Sequence, residues 1–356
     1  MSALPRGNLT PAPARLVLLG TGTVGTAFVA RYRALQQRQL ALPQLHWLAN
    51  SRIALACADA PESALAQAQS AVAGAAVAAA WSDADALRAG DVLVDATASE
   101  AIAGEHAHWL ARGVHVVTAN KLGHGTCLQR SQVIARTCAT GNARYGDAAT
   151  VGAGLPLLSS IRALVAGGDR IHSIEGVLSG SLAWLFHRYD GATPFSQCVR
   201  EAVAAGYTEP DPRIDLSGED VRRKVLILAR AAGVPLQAAQ VRVDSLVPAA
   251  LAAAALEAVD AGLEQLDAAL AARCQQAQAR GRRLCFVGHL DARGARVGLR
   301  ELPSDHPLAG GRGTDNRVVI HSDRYCTQPL VIQGPGAGAQ VTAAALLDDV
   351  LRIASR

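Results

Sequence analysis

Three observations predict an α/β chain, in which a parallel sheet with helices on both faces is followed by an α+β region with a mixed sheet. The apolar run Arg15-Leu-Val-Leu-Leu-Gly20 ends in Gly20-Thr-Gly22-Thr-Val-Gly25, and an amphipathic stretch covers residues 26–39. Strand, glycine turn and helix in that order open a Rossmann-type nucleotide domain. Short apolar strands then alternate with helical stretches, which is the pattern of a parallel sheet. Beyond residue 240 the runs 283–289, 297–301 and 317–321 look like strands of a mixed sheet.

Taken in order, residues 1–14 read as a flexible, Pro-containing tail. Residues 45–49, Asp91-Val-Leu-Val-Asp95 and residues 114–118 supply further strands of the first sheet, the second of them after an Ala-rich helical region. Residues 15–145 are therefore one nucleotide-binding domain. A second domain, residues 146–330, opens on the glycine-rich loop Thr150-Val-Gly152-Ala-Gly154-Leu-Pro156. Residues 174–178 are strand-like and end in Ser179-Gly-Ser181, with an apolar helix after them. The stretch Gly206-Tyr207-Thr-Glu209-Pro-Asp211-Pro-Arg-Ile-Asp215 is an ordered polar loop feeding a helix. Residues 331–356 hold the turn Gly334-Pro-Gly336-Ala-Gly338 and a helix over 341–353 that packs back on the nucleotide domain.

Composition narrows the function. The chain has 356 residues, 50% of them apolar and 18% charged, so it can bury a core and is not disordered. A net charge of +4 without any basic block or arm argues against nucleic acid as a partner. The longest apolar runs, such as residues 71–81, are shorter than the roughly 18 residues of a membrane span. The N-terminal residues lack the basic-then-apolar pattern of a secretory signal. Seven cysteines without a C-x-x-C pair read as reduced thiols, and the expected location is the cytoplasm.

The glycines have separate tasks. Gly20 permits a tight turn, Gly22 lets the backbone approach a pyrophosphate, and Gly25 lets helix and strand pack closely. An NAD site usually carries an acid about 20 residues further on, against the ribose 2′-hydroxyl. Residues 26–52 contain no acidic side chain, and the second strand ends in Ala49-Asn50-Ser51-Arg52. Arg grips a 2′-phosphate that a carboxylate would repel, so NADP(H) is expected over NAD(H), with Arg52 as the reader. A plain surface role for Arg52 is the alternative.

Only two of the 34 cationic residues are lysines, Lys121 and Lys224. Arginine fills every plain cationic role in this chain, so the two lysines are candidates for work that needs a releasable proton. Lys121 follows a parallel strand in Thr118-Ala-Asn120-Lys121, at the carboxyl end where ligands bind in such sheets. Lys224 ends Ser217-Gly-Glu-Asp220-Val-Arg-Arg-Lys224. Ser217 with Asp220 three residues later reads as a capping-box-like helix start, and Asp220 and Lys224 share a helix face at i and i+4. A helix-surface ion pair is the bland alternative. His106-x-His108 is read as surface, because i and i+2 point apart on a helix.

These motifs identify a family. Gly20-Thr-Gly-Thr-Val-Gly25, Val117-Thr-Ala-Asn-Lys121, Thr150-Val-Gly-Ala-Gly-Leu-Pro156, Val177-Leu-Ser-Gly-Ser-Leu182 and Gly206-Tyr-Thr-Glu-Pro-Asp-Pro-Arg213 through Lys224 closely resemble homoserine dehydrogenase. The likeness is greatest to the dehydrogenase portion of bifunctional aspartokinase–homoserine dehydrogenases and runs over about residues 15–356. It implies reversible, NADPH-dependent reduction of L-aspartate 4-semialdehyde to L-homoserine, a step toward threonine and methionine. It implies Lys224, Asp220 and Lys121 as catalytic residues, and Glu209, Asp215 and Asp220 at the substrate, with Glu209 on its ammonium. Cofactor contacts are implied at Gly20, Gly22, Thr23, Val24, Gly25, Asn50, Ser51, Arg52, Thr97, Ser99, Lys121, Gly206 and Gly338. Sodium is implied on the carbonyls of Ala148, Val151, Ala153 and Leu155, where Ala148 replaces a Glu of some members. A homodimer through the middle domain is implied, and with no kinase or regulatory segment in view the chain is expected to be a free-standing dehydrogenase.

The chemistry is coherent. Hydride delivered to an aldehyde carbon leaves an alkoxide, to which Lys224 supplies a proton. An aldehyde-oxidising enzyme would need an activated cysteine, and neither Cys127 nor Cys138 lies beside a recognisable base. Two alternatives stay open: a non-catalytic NADP-binding sensor, and another NADP-dependent aldehyde or alcohol oxidoreductase.

Overall fold

The computed structural model describes residues 14–57, 60–72, 87–311 and 313–355. The expected tail over residues 1–13, and most of the apolar run at 71–81, lie outside the described residues.

The first sheet contains β1 (Arg15–Leu19), β2 (Gln44–Ala49), β3 (Ala54–Ala56), β4 (Val92–Asp95), β5 (His115–Thr118) and β6 (Tyr145–Gly146), ordered β3-β2-β1-β4-β5-β6. Its neighbours run parallel except β2 and β3, which are antiparallel. The wholly parallel sheet expected from the sequence thus gains one antiparallel edge. Helices α1 (Thr23–Gln37), α2 (Pro61–Ser70), α3 (Glu100–Ala111) and α4 (Leu128–Thr140) cover it. Strand alternation assigns the faces. Leu16, Leu18, Val92 and Val94 pack with Phe28 and Tyr32 of α1. Val17, Leu19, Leu93 and Val116 pack with Trp109 of α3 and Ile134 of α4. Phe28, Tyr32 and Leu35 recur at i, i+4 and i+7, which gives α1 its buried stripe. The helix begins at Thr23 rather than residue 26 because Gly22 is its N-cap.

The second sheet contains β7 (Ile171–Val177), β8 (Val241–Val243), β9 (Arg282–Asp291), β10 (Gly294–Pro303), β11 (Asp315–Ser322) and β12 (Leu330–Pro335), ordered β12-β11-β7-β9-β10-β8. Only β8 and β10 pair in parallel; the other neighbours are antiparallel. It is accompanied by α5 (Leu157–Ala166), α6 (Gly180–Arg188), α7 (Phe195–Ala204), α8 (Arg213–Leu216), α9 (Glu219–Ala231), α10 (Ala249–Ala252), α11 (Val259–Gly262) and α12 (Asp267–Ala279). Helix α9 lies directly on β9. A Cβ at Gly288 would come within 2.5 Å of Val225 Cγ2, so the close approach depends on glycine. This packing fixes the face of α9 that carries Lys224.

The chain then returns to the first sheet. In α13 (Ala339–Ala354), Leu346, Leu347, Val350 and Ile353 join the core of Leu16, Leu18, Phe28 and Tyr32. Each such side chain contributes about 1.5–3 kcal/mol when fully buried. Asp349 of α13 accepts a hydrogen bond from Ala148 N at 3.0 Å, tying the helix to the start of the glycine-rich loop. Among the described residues, no helix is long and apolar enough to cross a membrane.

Candidate active site

A cleft of about 450 Å³ lies between the carboxyl ends of β1, β4 and β5 and helix α9. Val24, Thr97, Asn120, Lys121, Thr150, Asp220, Arg223, Lys224 and Gly338 are among its lining residues. Crevices at the carboxyl ends of parallel strands are where ligands bind in such sheets.

The three glycines differ in what demands them. Gly20 has φ +100, and a Cβ there would meet Ala96 O at 2.8 Å. A Cβ at Gly25 would lie 2.0 Å from Gly20 O, so α1 cannot approach β1 without this glycine. At Gly22 a Cβ would meet nothing within 4 Å. The protein has no steric need for glycine there, whereas a pyrophosphate drawn onto the backbone at the N-terminus of α1 would have one. The residues present therefore fit a dinucleotide. Thr23 and Val24 form the first turn of the same helix.

Beside this turn, Asn50 is fully engaged. Its Nδ2 donates to Thr21 Oγ1 (2.9 Å) and Ala68 O (2.8 Å), and its Oδ1 accepts from Arg52 N and Ile53 N. Asn50 thus shapes the turn that presents Ser51 and Arg52 next to the glycine loop. Thr97 lines the cleft, and its hydroxyl donates to Asp95 Oδ1 at 2.6 Å. Ser99 is the N-cap of α3 and accepts from Ile102 N.

At the other end, the two lysines converge on one carboxylate. Lys224 Nζ lies 2.7 Å from Asp220 Oδ2, and Lys121 Nζ lies 3.3 Å from Asp220 Oδ1. Lys224 is buried and also donates to Leu178 O at 2.7 Å. Burial by itself would raise the Asp220 carboxyl; Lys224, and then Lys121, outweigh it and hold it well below the usual carboxylate range. Asp220 is therefore anionic at neutral pH, and both lysines are aimed by it. This is no simple helix-surface pair, because one partner is buried and the second lysine comes from another domain.

The structure corrects two expectations here. Ser217 does not cap α9: Gly218, at φ +78, is the N-cap, while Ser217 Oγ donates to Ile214 O and accepts from Glu219 N. A Cβ at Gly218 would meet Phe286 at 2.8 Å, so packing sets this corner as well. His106 is not on the surface but fully buried, between Asp95 and Tyr145. His108 is the exposed member of the pair.

Asp215 is held near the same strand end. Its Oδ1 accepts from Ser181 Oγ at 2.6 Å and its Oδ2 from Glu209 N at 2.9 Å. Segment 178–181 thus links Lys224, through Leu178 O, to Asp215, through Ser181. Gly206 and the Glu209 side chain are exposed and stand outside the cleft wall. Sequence reasoning missed Asn120 and Arg223. Arg223 follows Asp220 at i+3, the same spacing logic that picked out Lys224.

The family pattern described as homoserine dehydrogenase matches residues 156–351, and that described as homoserine dehydrogenase, NAD binding domain, matches residues 20–136. The chain belongs to the homoserine dehydrogenase family. A homoserine dehydrogenase of Paracoccidioides brasiliensis is 40% identical over 278 residues, which are 74% of each chain. A bifunctional aspartokinase/homoserine dehydrogenase 2 of Zea mays is 44% identical over 269 residues, 74% of this chain but 29% of that one. The chain therefore spans about a third of the length of the bifunctional relatives. A crystal structure of a Candida auris protein of unknown function superposes with a TM-score of 0.85 at 35% identity, over 97% of this chain and 99% of that one. As in other homoserine dehydrogenases, a nicotinamide-nucleotide-binding domain is joined to a second α/β domain.

Proposed function

We propose that this chain catalyses the reversible reduction of L-aspartate 4-semialdehyde to L-homoserine, with NADP(H) preferred over NAD(H). The observation that carries the reading is the Lys121–Asp220–Lys224 array in a cleft that also reaches Val24, in the first turn of the helix after the glycine turn. Bound NADPH supplies the hydride. Lys224 Nζ, aimed by Asp220 and Leu178 O, gives its proton to the oxygen of the forming alcohol. Lys121 adds a second positive charge where that oxygen becomes anionic. Asp215, fixed by Ser181 and the Glu209 backbone, supplies negative charge for the substrate ammonium; the family resemblance gives the same role to Glu209, whose exposed side chain would have to turn inward to reach it. Arg52, beside the glycine loop and at the end of a stretch, residues 26–52, without an acidic side chain, takes the 2′-phosphate.

Sodium would be held by the carbonyls of Ala148, Val151, Ala153 and Leu155. Gly152 and the non-glycine Ala153 both have positive φ, 73° and 47°, an unusual backbone turn within this segment that supports a binding role for it. A cation there would stiffen the cleft floor. The seven free thiols fit a reducing, cytoplasmic setting. The family likeness favours a homodimer through the second domain, which light scattering tests.

The deciding assay is homoserine oxidation followed by nicotinamide absorbance, with NADP and NAD side by side. Turnover favouring NADP is expected. Cofactor binding without turnover would instead support a sensor.

A further inference from the structure

Behind the cleft lies a chain of buried polar side chains that the proposed reaction does not use. His106 of α3 is fully buried, with Nδ1 2.9 Å from Tyr145 Oη and Nε2 3.0 Å from Asp95 Oδ2. Burial raises the Tyr145 phenol well above its ordinary range, so it remains a hydrogen-bond donor. With the ring proton on Nε2, His106 donates to Asp95 and its Nδ1 accepts from the Tyr145 O–H. Asp95, also fully buried, spends its other oxygen on Thr97, accepting from its N (2.9 Å) and Oγ1 (2.6 Å).

The commitment passes on to the cleft wall. With its proton given to Asp95, Thr97 Oγ1 accepts from Ser99 N (3.2 Å) and Asn120 Nδ2 (3.5 Å). Asn120 Nδ2 also donates to Ser99 O (2.9 Å), and its Oδ1 accepts from Leu122 N (3.1 Å). The turns after β4 and β5 are thereby pinned to each other on either side of Lys121. From below, the same pair supports the Lys121 turn: a Cβ at Gly123 would lie 2.3 Å from Tyr145 Oη and 3.3 Å from His106 Nδ1. Removing the imidazole would leave the buried Asp95 Oδ2 and the Tyr145 hydroxyl short of a partner. Histidine here therefore contributes to stability as well as to the directional placement of Thr97.

We infer that His106 is a positioning residue for the cofactor end of the cleft, setting Thr97 through Asp95 and the Lys121 turn through Tyr145. The inference rests on the reading of the cleft as a nicotinamide-nucleotide site. It has not been needed to explain the fold, and it assigns to α3 a role in cofactor affinity.

The test is NADPH fluorescence titration of the whole chain without substrate, beside thermal melting and homoserine oxidation. His106→Phe should weaken NADPH binding about tenfold, the factor that loss of one well-placed hydrogen bond produces. His106→Gln, whose amide N–H can still reach Asp95, should stay within about threefold of wild type. Thr97→Val should add little further loss on top of His106→Phe, because both act through Asp95. If His106→Phe does not fold, Tyr145→Phe carries the test, since it keeps the ring and removes only the donor to Nδ1; a loss of about threefold is expected. Unchanged NADPH affinity in a cooperatively melting His106→Phe or Tyr145→Phe variant would overturn the inference. So would full additivity of His106→Phe and Thr97→Val. Failure of the wild-type chain to bind NADPH would overturn the cofactor reading and this inference together, and is told apart by being visible before any variant is made.

Discussion

Replacing Lys224 by arginine separates proton transfer from charge. The Lys224 ammonium has three N–H bonds. One is given to Leu178 O at 2.7 Å and one to Asp220 Oδ2 at 2.7 Å, which leaves the third for a substrate oxygen. Arginine at this position keeps the positive charge beside Asp220, which also retains Lys121 at 3.3 Å. Leu178 O retains Asn316 Nδ2 at 3.2 Å as a second donor. The fold should therefore survive, but guanidinium does not release a proton near neutral pH. General acid catalysis contributes roughly 10²–10⁴-fold, or about 3–5 kcal/mol of barrier, and kcat should fall within that range. Cofactor affinity should change by less than about twofold, because the Lys224 N–H bonds go to Leu178 O and Asp220 rather than to the nucleotide end. Saturating homoserine oxidation, followed by NADPH absorbance and paired with NADPH titration, reads both quantities. Turnover within about threefold of wild type would refute the reasoning and leave Lys121, which faces the same carboxylate, as the donor.

Gly22→Ala should melt like the wild-type chain yet bind NADPH more weakly, because only a ligand occupies the space its Cβ would take. Gly25→Ala should lower stability by about 1–3 kcal/mol or prevent folding, since its Cβ would meet the Gly20 carbonyl at 2.0 Å; chemical denaturation distinguishes the pair. Arg52→Asp should raise KM for NADPH by roughly tenfold to a hundredfold while sparing NADH, and equal effects on both would show that Arg52 does not read the 2′-phosphate. His124 gives a pH signature. Burial, with Arg162, Arg230 and His106 acting in the same direction and Asp147 against it, pushes its pKa down from 6.5 to about 4. Between those values the unfolded chain holds the extra proton, so stability falls as pH drops from 6.5 toward 4, by about 3 kcal/mol at most. His124→Gln should flatten urea-denaturation midpoints across that window, and an unchanged slope would assign the acid sensitivity elsewhere.

What the sequence disclosed was local. The order strand, glycine turn, helix is contained within residues 15–37, and the scarcity of lysine picked out Lys121 and Lys224 before any geometry was known. Asp220 could be paired with Lys224 because i and i+4 fix their separation on a helix. That Lys121 meets the same carboxylate could not be read, because its partner lies 99 residues away in the other domain. His106 was misread for the same reason: its partners stand 11 and 39 residues distant, and helix phase alone does not say which histidine turns inward. The cap of α9 failed differently. Ser217 and Gly218 both suit a helix start, and the contact of Gly218 with Phe286 decided between them. Strand β3 is only three residues long, and it exists because Asn50 folds the turn before it. Asp349, 201 residues from Ala148, left no trace in any local pattern.

The return of α13 to the first sheet has a mechanical corollary. The polypeptide crosses between the two sheets twice, once after β6 and once before α13, so the halves are joined by two strings of residues rather than one. Two covalent links constrain the halves more than one would, and the Lys121–Asp220 and Arg162–Asp147 pairs add to them. Both crossings also belong to the cleft wall: Thr150, Gly152 and Ala153 on one, Gly336, Ala337 and Gly338 on the other. The connecting segments and the ligand-facing surface are thus the same residues. A molecule bound in the cleft would touch both covalent links between the halves at once.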